Sequence, residues 1–373
     1  MSNDLRERAW VEVNLDAVRA NYETVRRHVG AERSVLPMVK ADAYGLGAAR
    51  VVRALEPLEP WGYGVATAME GAALRELGVR RPVHVFTPLT PGAVETAARA
   101  RLVASVSSVA GLEAWAGAAE RHGPLEFHVE VDTGMGRAGF DWRDTSEWAA
   151  AVHARTGARL RWTGVFTHFH SADAADAMGV ASQWRRFQDA LAQLPVPLED
   201  LCVHACNSAA SLRWPEYGAD AVRPGIFLYG GAAAPGVAGV ARPRAVAAVR
   251  ARLVQVRRVP PGSTVGYGAT YQARGWERWG TVAIGYGDGL PRTLANRGSA
   301  LLRGRRIPVV GRISMDMTVV DMADLEAEPG EIVTFVGREG DAEITVDEVA
   351  ERAGTISYEI LTGLTTRLPR VET

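Results

Sequence analysis

At 373 residues, and with about 150 residues to a typical domain, the chain is long enough for roughly two domains. Hydrophobic residues make up 47% of it and charged residues 23%, and 42 basic side chains face 43 acidic ones for a formal net charge of −1. Such a chain buries a sizeable core and lacks the basic excess that a nucleic-acid partner requires. The start, Met1 to Arg8, mixes both charge signs without an apolar core, so no secretory signal is expected. No apolar run approaches the ~18 residues that span a bilayer. Only Cys202 and Cys206 are present, too few for a disulfide framework, and a reducing cytoplasm fits.

In chain order, Asn14 is positioned to cap a first amphipathic helix over 16–29. Short β-like runs then recur at 34–40, 62–66, 83–86, 102–106, 126–131, 163–168, 201–206 and 221–223. Helical stretches lie between them, among them 69–77, 109–122 and 183–194, the last with Trp184, Phe187, Leu191 and Leu194 at helical spacing. Eight such units in about 220 residues predict an α/β fold, a parallel (β/α)8 TIM-like barrel, with an open doubly wound sheet as the competitor. The run Gly230–Gly239 is small and flexible and reads as a linker. Beyond it, β-branched segments at 245–259, 279–284, 299–302, 307–310, 318–320, 332–335 and 343–346 predict a mostly antiparallel β domain, with a short helix at 347–353. The expected division is a barrel over 1–240 and a β domain over 241–373, with Trp10–Val13 able to pair with either.

Chemistry enters with one count: Lys40 is the only lysine in the chain. Codon bias toward arginine accounts for the missing lysines but not for the one that remains. Arginine replaces lysine on solvated surfaces, yet it does not give up its proton and cannot act as an amine nucleophile. A lone lysine is therefore a candidate for Schiff-base chemistry. It also falls at the end of the first expected strand, as Arg137 follows the fifth, His168 the sixth, Asn207-Ser208 the seventh and Arg223-Pro224-Gly225 the eighth. The C-terminal rim of a (β/α)8 barrel is where active sites are built.

These segments resemble, in order, the motifs of alanine racemases, the fold type III pyridoxal-phosphate enzymes. Val39-Lys40-Ala41-Asp42-Ala43-Tyr44-Gly45 is similar to the cofactor-lysine motif. Val131 to Arg137, Thr167-His168-Phe169, Asn207-Ser208-Ala209 and Arg223-Pro224-Gly225-Ile226 follow in the barrel. Gly266-Tyr267-Gly268, Gly285 to Gly289, Gly311 to Asp316 and Ser357-Tyr358-Glu359 follow in the second domain. The resemblance implies a head-to-tail homodimer with shared sites that interconverts L- and D-alanine and supplies D-alanine for peptidoglycan.

By the same resemblance Lys40 carries pyridoxal 5'-phosphate and serves as the base on one face of the substrate. Tyr267 of a second subunit would serve on the opposite face, because inverting a centre needs proton carriers on both sides. Both groups titrate near ~10 when free, and neighbouring arginines would favour neutral lysine and phenolate. Arg223 is expected at the pyridine nitrogen, which it would leave unprotonated; the plainer alternative is an arginine paired to a carboxylate. His168 would orient Arg223. Tyr44, Tyr358, Asn207, Ser208 and the backbone at Gly225 and Ile226 are expected around the cofactor and its phosphate. Arg137 and the Met315 N–H are expected at the substrate carboxylate, and Tyr286, Arg292 and Arg312 along the entry path.

Glu130 departs from the pattern. Many relatives carry a carbamylated lysine there, and a charge-assisted hydrogen bond from Arg137 to Glu130 is the expected replacement; the alternative is a carboxylate directed elsewhere, with an anion or water orienting Arg137. Two rival signals are weak. Cys202, His204 and Cys206 alternate on one strand but lack the four ligands of a structural zinc site. Gly134-Met135-Gly136 and Gly285 to Gly289 lack the settings of Walker and dinucleotide loops. No metal is expected. The alternative activities are a broader amino-acid or serine racemase, a decarboxylase of similar architecture, and a non-catalytic cofactor carrier.

Overall fold

The computed structural model describes residues 5–176, 178–234 and 241–373. Eight parallel strands form one curled sheet in the spatial order Ser34–Val35, Ala221–Arg223, Cys202–Asn207, Leu160–Phe166, Leu125–Asp132, Val103–Val106, Val83–Val85 and Tyr63–Val65. Its two ends meet. Met38 bridges Gly64, the Val39 N–H donates to Gly64 O at 2.8 Å, and the Gly64 N–H donates to Pro37 O at 2.9 Å. Four of these eight strands are buried along their whole length, as expected of a parallel sheet covered by helices.

The helices begin where side chains can satisfy their first N–H groups. Asn14 accepts from the Ala17 N–H at 2.8 Å and opens Leu15–Val29, one residue ahead of the expected start. Thr67 and Glu70 form a reciprocal capping box at the head of Ala68–Glu76. Ser108 caps Val109–His122, the helix expected at 109–122. The helix expected at 183–194 runs instead over Met178–Leu191.

A separate, mostly antiparallel sheet is built around the long strand Ala247–Val259. The N-terminal strand Ala9–Val13 belongs to this sheet. It pairs antiparallel with Ala247–Val259, Val13 opposite Ala247, and parallel with Arg370–Glu372. Trp10, Val11 and Val13 are fully buried there, which is why the segment joins this sheet rather than the curled one. The helix Val346–Ala353, capped by Thr345, matches the one expected near the end. The expected linker, 230–239, and the chain start lie partly outside the described residues.

Candidate active site

At the C-terminal ends of the parallel strands opens a cleft of about 740 Å³. It is lined by Lys40, Tyr44, Arg137, His168, Asn207, Ser208, Arg223, Gly225, Ile226 and Tyr358, together with Met38 and Phe86. Residues up to 320 positions apart in sequence, from Met38 to Tyr358, thus share one concavity.

Lys40 lies just beyond its strand, and the backbone after it is unusual. Ala41, Asp42, Ala43 and Tyr44 all have φ between 51° and 57°, a complete left-handed turn without glycine. Each such residue costs about 1–2 kcal/mol, so the turn persists only because its surroundings over-determine it. The Ala41 N–H donates to Glu70 Oε1 at 2.8 Å, the Gly45 N–H to Ala41 O at 2.7 Å, and the Ala48 N–H to Asp42 Oδ1 at 2.7 Å. Tyr44 is packed between rings, 4.6 Å from Tyr229 and 5.9 Å from Tyr358 by centroid. Burial is the main cause that lowers the Lys40 pKa from its ordinary 10.5, and Arg137 and then Arg223 act in the same direction, while Glu70 opposes them. Arginine proximity was the expected cause; burial outweighs it.

Arg223 is 4% exposed and touches neutral acceptors alone. Its guanidinium donates to His204 Nδ1 at 2.8 Å, to Thr167 O and Ala205 O at 2.9 Å each, and to His168 Nδ1 at 3.3 Å. Among the described residues it has no carboxylate partner, so the alternative of an arginine spent on a structural ion pair does not hold. Burial pulls its pKa down to about 10, which still leaves it charged at neutral pH.

Behind Arg223 lies a group that sequence reading missed. His84, His128 and His204 are buried, and their ring nitrogens lie within 4.8 Å of one another. Arginine can only donate, so His204 Nδ1 accepts and its Nε2 carries the proton toward His128 Nδ1 at 2.8 Å. His84 Nε2 meets Ser105 Oγ at 2.9 Å, while its Nδ1 has no partner. Gly164 leaves the space the His128 ring occupies; a Cβ there would sit 2.5 Å from it. The spacing suits a metal ion, but the shared His128–His204 hydrogen bond and the adjacent guanidinium favour a neutral array. Burial, the first cause for all three rings, holds their pKa values well below the ordinary 6.5, His128 at about 3. The available signal was a single histidine amid apolar residues in three strands: Val83-His84-Val85, Phe127-His128-Val129 and Val203-His204-Ala205.

Other expectations need adjustment. The Gly225 N–H, expected to face an anion, donates to Ser208 Oγ at 2.7 Å. Asn207 lines the cleft but spends its Oδ1 on the Ala210 N–H at 3.0 Å. The hydrogen bond expected between Glu130 and Arg137 is not formed. Glu130 is 4% exposed and accepts from Ser107 Oγ at 3.0 Å, and burial raises its pKa. Arg137 stays on the solvent side and has no hydrogen bond or ion pair among the described residues; a buried carboxyl with a neutral donor at hand has less need of it.

Tyr267, expected from a second subunit, and the residues expected at the substrate carboxylate and the entry path from the β domain lie outside this cleft. Tyr267 is 70% exposed, Met315 52% and Tyr286 40%. One loop, 311–317, ties them together: a Cβ at Gly266 or Gly268 would meet Arg312, and the Tyr286 and Gly287 N–H groups donate to Ser314 O and Met315 O. Arg292 is exposed at the head of a short turn, Arg292–Leu294.

A curled parallel sheet with one amine, an arginine without an ion pair among the described residues and several hydroxyls at its strand ends offers the groups that lysine chemistry on a small anionic molecule requires. Comparison with known proteins narrows this. Residues 13–233 match the family described as "Alanine racemase, N-terminal domain", and residues 246–372 match "Alanine racemase, C-terminal domain". The "Alanine racemase 2" of Bacillus subtilis is 38% identical over 371 residues, covering 97% of this chain and 93% of that protein. The alanine racemase structure from D-cycloserine-producing Streptomyces lavendulae has a TM-score of 0.92 at 33% identity, covering 98% of this chain and 97% of that one. The Bartonella henselae structure, titled with covalently bound pyridoxal phosphate, has a TM-score of 0.88 at 29% identity, with 98% and 99% covered. The chain belongs to the alanine racemase family, whose members are pyridoxal-phosphate-dependent isomerases.

Proposed function

We propose that this protein is an enzyme that interconverts L- and D-alanine, with pyridoxal 5'-phosphate held on Lys40, and so supplies D-alanine for peptidoglycan in the cytoplasm. The observation that carries the reading is that the only lysine of the chain lies in the cleft, its pKa lowered, beside Arg223 and Tyr44. The donor set suits a phosphorylated aromatic ring. Ser208, Tyr44 and Tyr358 offer hydroxyls for the phosphate, and burial holds the tyrosines protonated, Tyr358 at about 12. A Cβ at Gly225 would overlap the Tyr44 hydroxyl, so only glycine leaves that cradle open.

Pyridoxal phosphate, when bound, supplies an electron-withdrawing ring that acidifies the hydrogen on the substrate α-carbon. Lys40, neutral more readily than a free lysine, accepts and returns that proton on one face. Arg223, pinned by four neutral acceptors, would face the ring nitrogen of the bound cofactor as a donor that keeps its proton. Arg137, with no hydrogen-bond or ion-pair partner among the described residues, is available to the substrate carboxylate.

The proton carrier for the other face is Tyr267 of a second copy, with its Met315 completing the carboxylate site and Tyr286, Arg292 and Arg312 lining the approach. Its support is the exposure of Tyr267, Met315 and Tyr286 and the contacts that tie their segments to the loop 311–317. The unit carrying Lys40 is then a (β/α)8 barrel whose described residues start after Val13, and the unit carrying Tyr267 a β domain from 241 to 373 that also takes in the strand Ala9–Val13. No described helix is long and apolar enough to cross a membrane.

Circular dichroism of alanine enantiomers with purified protein and cofactor is the test, with serine and larger amino acids in parallel. Turnover confined to another amino acid would overturn the alanine assignment. Lys40→Ala and Tyr267→Phe, each inactive alone, are expected to regain activity when co-assembled, up to about a quarter of the wild-type value if subunits mix at random. No recovery on mixing would refute the shared site.

A further inference from the structure

We propose that Glu70 is the positioning residue of Lys40: its carboxylate clamps the amide that follows the lysine and sets a negative charge against the arginines of the cleft. The inference rests on the reading of Lys40 as the cofactor-bearing amine.

Glu70 sits at the third position of the helix Ala68–Glu76, where a glutamate commonly completes a capping box. It does so here: its N–H donates to Thr67 Oγ1 at 3.2 Å, and its Oε2 accepts from the Thr67 N–H at 3.1 Å. A cap needs no more than that. The same Oε2 also accepts from the Ala66 N–H at 2.8 Å, and Oε1 reaches out of the helix to the Ala41 N–H at 2.8 Å, 29 residues away in sequence.

Three backbone donors thus converge on one side chain, and each needs an acceptor. Only a carboxylate has two acceptor oxygens and no donor; a glutamine would turn its NH2 against at least one of them. The long reach goes to the first residue of the left-handed turn 41–44, the most strained backbone near the cleft. Holding Ala41 fixes where the Lys40 main chain ends and its side chain begins.

The charge matters as well. Among the groups acting on Lys40, Arg137 and Arg223 favour the neutral amine and Glu70 favours the ammonium; His168 faces the same space as a neutral ring. Glu70 therefore keeps the amine from being driven too far down, so that it can both take a proton and give one back.

The single lysine makes this directly measurable. Protein carrying 13C,15N-lysine gives one side-chain signal, whose titration can be followed in the cofactor-free state. Glu70→Gln is expected to lower its midpoint by about half to one pH unit and to speed exchange of the Ala41 amide at least about tenfold. Thr67→Ala, which disturbs the cap but not the carboxylate, is expected to leave the midpoint in place. An unchanged midpoint in Glu70→Gln, an equal fall in Thr67→Ala, or an Ala41 amide exchanging as in wild type would each overturn the proposal. Should Glu70→Gln not fold, the wild type suffices: the Ala41 amide is expected to shift with the same midpoint as the Glu70 carboxyl carbon, and different midpoints would overturn it. Adding pyridoxal phosphate separates this from the reading it rests on. If the free-lysine signal persists, the cofactor assignment fails, whatever Glu70 does to the midpoint.

Discussion

The buried histidines make acid sensitivity calculable. An unfolded chain binds a proton on each imidazole as pH falls through 6.5, while the folded protein keeps His84, His128 and His204 neutral. The unfolded state therefore binds more protons, and stability present above pH 6.5 is lost on acidification. From pH 7.5 to 5.5 each such ring contributes a loss of about 1.4 kcal/mol, so the three together remove about 4 kcal/mol. His168, also held well below its ordinary value by burial, acts in the same direction. That is a large part of a typical 5–15 kcal/mol stability, and it appears in a window where carboxylates scarcely titrate. The assay is urea unfolding at pH 7.5 and 5.5, at fixed protein and cofactor concentration.

The informative comparison is His84→Phe combined with Ser105→Ala. It removes both partners of the 2.9 Å bond and the ring nitrogen that has no partner. Phenylalanine can keep the stack on Phe86, where the rings lie 4.0 Å apart. At pH 7.5 the change in stability is expected to stay within about 1 kcal/mol, since both hydrogen-bonding groups leave together. The loss on acidification should shrink by about 1.4 kcal/mol. If both proteins lose the same stability between the two pH values, His84 is not held neutral in the fold and the reasoning fails.

Two further outcomes follow from the cleft. Gly225→Ala places a methyl group on the Tyr44 hydroxyl; pyridoxal phosphate is expected to bind at least about tenfold more weakly, and equal affinity by equilibrium dialysis would refute the cradle. Glu130→Gln keeps an acceptor for Ser107 and removes a carboxyl already driven toward its neutral form by burial. The KM for alanine is expected to rise less than about threefold; a rise of tenfold or more in steady-state kinetics would mean the carboxylate acts on Arg137 through space.

Much of this protein was legible before folding. The lone Lys40, the polar residues at five of the eight expected strand ends, and the cap at Asn14 are local signals, because a strand's end and a helix's start are written in a few consecutive residues. Ten of the expected cleft residues do share the cleft; seven of them were marked by strand ends, and Tyr44, Ile226 and Tyr358 by the resemblance of their motifs. What only the tertiary structure decided are contacts between distant strands. His84, His128 and His204 sit in strands with no spacing rule that links them, and they meet because the curled sheet turns their side chains to one interior. The partner of Glu130 was misjudged for the same cause: Ser107, on a neighbouring chain segment, competes at 3.0 Å where Arg137 was expected. The left-handed turn after Lys40 uses alanine, aspartate and tyrosine, residues whose own preferences oppose it. Contacts from distant segments, among them the side chain of Glu70 on a different helix and the rings of Tyr229 and Tyr358, hold that conformation in place.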